Sequence, residues 1–174
     1  MQARMSGRIL FAAVAVTLVV FLAPTTSAQS GAPANIGTWM LNIPKSMSAS
    51  ADGGPTLVAT AIRIEAAGAG VRCAIDLLDI EEGAQSLFDR LEFSGQYDGM
   101  DNTLTGSRLL GDVVALTRVD TNTTKSVFRQ GPTVTVTMTS VVSGDGNTMT
   151  VTSTVPDAKG KPLTMSVAVY DKQR

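Results

Sequence analysis

The sequence predicts an all-β fold, an antiparallel up-and-down β-barrel of about eight or nine strands, with a β-sandwich as the alternative. Three observations carry this. Residues 133–142 (TVTVTMTSVV), 148–155 (TMTVTSTV) and 163–169 (LTMSVAV) alternate apolar and polar side chains. A period of two sends alternate side chains to opposite faces of a sheet. Turn signals then recur at near-regular spacing, as Gly68/Gly70, Asp98-Gly99, Gly131-Pro132 and Gly144-Asp145-Gly146-Asn147. Short strands punctuated this way build barrels or sandwiches. Finally, no amphipathic helical pattern follows the N-terminal apolar run.

That run reads as a signal peptide over 1–28. Arg4 and Arg8 form a basic start, residues 9–22 are apolar, and Thr26-Ser27-Ala28 supplies a cleavage site before Gln29. Fourteen apolar residues fall short of the roughly 20 needed to span a bilayer. The expectation is export to the periplasm or beyond, with no stable membrane insertion after cleavage. The remaining 146 residues carry 12 basic and 15 acidic side chains, a net charge of −3. A mildly acidic domain without a basic cluster is a poor partner for nucleic acid and for an anionic membrane.

Residues 29–36 are rich in Gly, Ala, Pro and Ser and read as a disordered leader, followed by a single domain over 37–174. Its first strand is 37–41, around the single tryptophan, Trp39. Residues 42–55 have no periodicity and read as a loop across one end of the barrel. Strands are expected at 56–65, 71–78 and 87–97. In the last of these Leu87, Leu91, Phe93 and Tyr97 share a face, and Asp89 falls in phase with them near the acidic turn 79–85. Residues 102–111 are weakly patterned, with room for a short edge strand. Further strands are expected at 112–119 and 123–129, and then in the three alternating segments. The apolar face would hold Val134, Val136, Met138, Met149, Val151, Met165 and Val167, and threonines would face solvent. Cys73, the mature chain's one cysteine, alternates with Val71, Ile75 and Leu77 and reads as a small buried residue.

Gly37-Thr38-Trp39, Tyr97-Asp98-Gly99 and the runs 114–120 (VALTRVD) and 145–152 (DGNTMTVT) are similar to segments of a group of small exported bacterial proteins described as lipocalin-like. Gly37-Thr38-Trp39 resembles the G-x-W signature of lipocalin-type barrels, and Lys45-Ser46 follows it as in that group. Tyr97-Asp98-Gly99, Thr105-Gly106, the run 114–120 (VALTRVD), the run 145–152 (DGNTMTVT) and the run 170–173 (YDKQ) extend the resemblance over nearly the whole mature chain. It implies a calycin-type barrel with a cup-shaped interior and a small hydrophobic or amphipathic ligand.

The chain has no histidine. This excludes Ser-His-Asp and Cys-His catalysis and most zinc and haem sites. The carboxylates gather at turns, where Asp bonds its own backbone, so neither an enzyme, a cofactor nor a metal is expected. Asp98–Asn102 and Asp145–Asn147 offer oxygen ligands but fall short of a calcium loop. Met138, Met149 and Met165 lie on the predicted inner face, where methionine either fills gaps or adapts to a ligand. Arg118 shares a face with Val114 and Leu116 and would either meet a ligand carboxylate or sit solvated at a strand end. Trp39, Tyr97, Arg118, Met138, Met149 and Met165 are therefore the candidate ligand-binding residues. The alternative function is a structural or protein-interaction module of the envelope with a filled core. Oligomeric state is not legible in the chain.

Overall fold

The period-two alternation is realised as strand after strand in the computed structural model, which describes residues 32–48, 56–80 and 87–174. The strands are β1 (Gly37–Leu41), β2 (Met47–Ser48), β3 (Thr56–Ala67), β4 (Gly70–Ile80), β5 (Leu87–Gly95), β6 (Asp98–Thr103), β7 (Thr105–Gly106), β8 (Val113–Arg118), β9 (Thr123–Gln130), β10 (Thr133–Val142), β11 (Thr148–Pro156) and β12 (Pro162–Lys172). Eleven of them follow one antiparallel path, β6-β8-β9-β10-β11-β12-β1-β3-β4-β5-β7, and β2 pairs with β12 off that path.

The two ends of this path, β6 and β7, are separated in the chain only by Leu104. One stretch of chain therefore lies along β8 with its first half and along β5 with its second. The sheet curls into a nearly closed up-and-down barrel rather than a sandwich. Eleven strands stand where eight or nine were expected, because residues 98–106 do not alternate. The Asp98-Gly99 turn signal is a register shift inside β6 instead, with Gly99 at φ +78°. At Gly106 (φ +81°) a Cβ would collide with the Arg90 carbonyl, so glycine is what lets β7 seat on β5.

Register assembles the interior in belts. Trp39 faces Ile62, Ile62 faces Ile75, and Ile75 faces Leu91. Phe128 of β9 pairs with Val114 and Val136. Its ring meets Phe93 edge-on, centroids 6.5 Å apart. Trp39, Leu91, Val114, Phe128, Leu77 and Met149 are almost wholly buried. Each such side chain stabilises the fold by roughly 1.5–3 kcal/mol relative to an exposed one.

The outer surface has two characters. On β3, β4 and β5 it carries Arg63, Glu65, Arg72, Asp76, Arg90 and Glu92, with Arg90–Asp76 at 2.5 Å and Arg72–Glu92 at 3.2 Å. On β10, β11 and β12 no charged residue occurs before Asp171, at the end of β12.

Three expectations need correction. First, β12 runs in the opposite phase. Tyr170 pairs with Met149 and Ala168 with Val151, so 166, 168 and 170 face inward and Val167 and Val169 outward. The cause is a register shift between Ser153/Thr154 that leaves Met165 as an extra, 45% exposed residue. One added residue reverses every side chain beyond it. Second, residues 42–48 are not a loop over the barrel end. Asn42 caps a 3-10 turn (Ile43–Lys45), and β2 then rejoins β12; residues 49–55 lie outside the described residues. Third, residues 32–36 are not a disordered leader but pack onto one end of the barrel, with Asn35 buried.

Candidate functional site

The end of the barrel that holds the N-terminal segment is where polar groups converge. Proline at position 33 and the bond from the Ile36 amide to the Pro33 carbonyl (3.2 Å) fold residues 33–36 into a turn. That turn drops Asn35 over the barrel opening. Its carbonyl accepts the Trp39 indole N–H at 2.8 Å. Its side-chain oxygen accepts the Tyr97 hydroxyl at 3.3 Å, and its amide donates to Thr124 Oγ1 at 3.3 Å. One short side chain thus ties the leader to the β5–β6 connection and to β9. Arg118 adds a bond to the Ala32 carbonyl at 3.5 Å.

Beneath this plug lies a cavity of about 40 Å³. Asn35, Tyr97, Thr124, Ser126 and Ser140 form its polar wall, and Ile62, Ile64, Cys73, Phe93, Leu116, Met138, Met149 and Val151 are among its apolar neighbours. The seryl groups are there by register: Thr124 pairs with Ser140, and Ser126 with Met138, all on the inward phase of β9 and β10. No buried side-chain nitrogen or oxygen is left without a hydrogen-bond partner among the described residues. A polar pocket of this size holds on the order of one to three waters. Sites for organic ligands run to roughly 300–1,000 Å³.

Burial sets the electrostatics. The Cys73 thiol is pushed up to about 12 by desolvation, so it stays protonated and unreactive. Desolvation also raises Tyr97, against the opposing bond to Asn35, and raises Tyr170, whose hydroxyl donates to the Ala59 carbonyl at 3.0 Å. The carboxylates are engaged at turns and rims. Asp145 is lowered to about 2 by the Ser143 hydroxyl and by Asn147, and Asp171 is lowered by Asn42 and Lys45. No group of His, Cys, Asp and Glu able to hold a metal occurs among the described residues. A second, open depression of about 420 Å³ lies over the β5–β6 corner. Its two carboxylates are engaged: Asp98 by the Met100 amide and Asp101 by Arg129.

The six candidate ligand-binding residues part company here. Tyr97, Met138 and Met149 line the cavity. Trp39 is fully buried beside it as core, with the Lys172 ammonium 5.1 Å from its ring centroid, a cation–π contact. Arg118 is above the cavity and bonds the Asp120 and Ala32 carbonyls. Met165 is on the outside. Asp89, in phase with the inward face of β5 by sequence, is exposed and accepts from the Arg90 amide. Sequence reasoning passed over Asn35, Lys172 and the seryl wall. Polar residues at inward positions of β9 and β10 were the available signal for the last of these; Asn35 carried none. No family model, curated protein or solved structure matches this chain.

Proposed function

We propose that this chain is a non-enzymatic, exported β-barrel that works through its outer surface as a structural or interaction module of the envelope. One observation carries the reading. The interior cavity lined by the described residues, about 40 Å³, is several-fold below what an organic ligand occupies. A filled barrel leaves the surface to do the recognition. Wild-type protein should therefore leave a panel of fatty acids and apolar fluorescent dyes unbound. Met149→Trp should overpack the interior and destabilise the fold by about 1–3 kcal/mol. Saturable, one-to-one dye uptake by the wild type would reject the reading.

A second reading, binding of a small amphipathic ligand under the plug, is favoured by the polar wall of Asn35, Tyr97, Thr124, Ser126 and Ser140 opposite an apolar one. It makes a separate demand: Asn35→Ala, which loosens the plug, should change dye uptake. On the surface-module reading that variant changes stability and leaves the dyes unbound.

A further inference from the structure

We infer that residues 32–36 are a hinged gate, lifting from the barrel end as a unit about Gly37 and opening the polar-walled cavity to solvent while the sheet stays folded. The attachment of the chain changes character at Gly37. From there on, β1 is laddered to β3 on one side and to β12 on the other, and the Gln173 amide donates to the Thr38 carbonyl at 2.8 Å. Before it, no backbone–backbone hydrogen bond joins residues 32–36 to the barrel among the described residues. The bond from Ile36 to Pro33 is internal to the turn. Gly37 stands at φ +142°, a conformation that residues with a side chain rarely adopt, and a Cβ there would meet Lys172 Cε at 2.6 Å. Hinges are built from such element-terminal residues.

A small set of side-chain bonds holds the gate shut. The Trp39 indole reaches the Asn35 carbonyl at 2.8 Å, but the bonds with Tyr97, Thr124 and Arg118 are 3.3, 3.3 and 3.5 Å long, beyond the usual range. Ala34 and Ile36 pack against the core as partly buried side chains. A segment with few buried apolar contacts and no ladder bonds opens locally, at a free energy below that of global unfolding. Asn35 makes the opening cooperative. A buried carboxamide is stable only while its partners are kept, so loss of one bond favours release of the rest, and the turn from Pro33 to Ile36 travels with it. The open state uncovers Tyr97, Thr124, Ser126 and Ser140, the polar wall of the cavity.

The single tryptophan is the reporter, because its indole N–H is bonded to the gate. The test is hydrogen exchange by NMR on the full chain, comparing the Trp39 indole with the backbone amides of β11. The indole should exchange at least about tenfold faster than those amides. Its rate should stay flat in low urea while theirs rises. Tyr97→Phe leaves the carbonyl that the indole bonds in place, so it acts on Trp39 only through the gate, and it should speed indole exchange roughly two- to tenfold. Leu77→Ala, in the core but outside the cavity lining, weakens the sheet equally with the gate open or shut. It should speed the β11 amides and leave the indole unchanged. An indole that exchanges at the β11 rate and follows it in urea is exposed only by unfolding and overturns the proposal. So does an indole indifferent to Tyr97→Phe, or one that follows β11 in Leu77→Ala. Dye uptake is a separate readout, so a gate that fails this test leaves the filled-interior reading standing.

Discussion

Neighbouring residues on β11 meet opposite environments. Val151 is 3% exposed and faces Ser140 and Ala168; Thr152 points out between Thr139 and Val167. Val151→Arg should put an uncompensated charge inside and cost on the order of 3 kcal/mol or more, whereas Thr152→Arg should cost about 0.5 kcal/mol or less. Urea denaturation of the two variants checks this, and equal costs would contradict the register. Titration supplies a second residue-level prediction. Cys73, Tyr97 and Tyr170 all have raised values in the fold. The unfolded chain releases these protons at lower pH than the folded one. Above about pH 9 the unfolded state thus binds fewer protons, and stability falls as pH rises. The urea midpoint should decline from about pH 9 toward 12, less steeply in Cys73→Ala. A midpoint that stays flat there would contradict the buried, protonated thiol.

At the scale of the element, alternation made β11 and most of β10 legible, because an inward face needs only a count of two, but a register shift between Val134 and Val136 sets Val134 opposite Arg129 instead of on the expected inward face. The count fails where a residue is inserted. Nothing local marks Met165 as extra, so β12 reads one residue out of phase. Met165→Asp should therefore be tolerated within about 0.5 kcal/mol, while Ala168→Asp should destabilise by several kcal/mol. Thermal melts of the pair decide the phase. Strand β6 was hidden for a different reason: its glycine and aspartates are a turn composition that tertiary pairing with β8 overrides. The plug was hidden because a Gly/Ala/Pro/Ser segment has no pattern, and Asn35 gains its partners only once β5 and β9 have come together. Asn35→Ala removes two side-chain hydrogen bonds and should cost about 1–3 kcal/mol. A loss well below that would mean the plug does not stabilise the barrel end.

For the whole molecule, the alternation implied a barrel but could not tell a cup from a filled centre, since the two differ only in side-chain volume. Aromatic content is just 5%, yet Trp39, Phe93, Phe128 and Tyr170 all go inside, and those few rings close the space. The candidate site was legible in part for the same reason. Tyr97, Met138 and Met149 follow from inward phase alone, whereas the plug and the outward turn of Met165 depend on how distant strands meet. The central claim is that recognition is external and the interior is occupied by side chains. Native mass spectrometry of the protein purified from its own host tests this most directly. The account predicts the mass of the chain alone, with no retained organic molecule. A stoichiometric small molecule that leaves only on denaturation would contradict it.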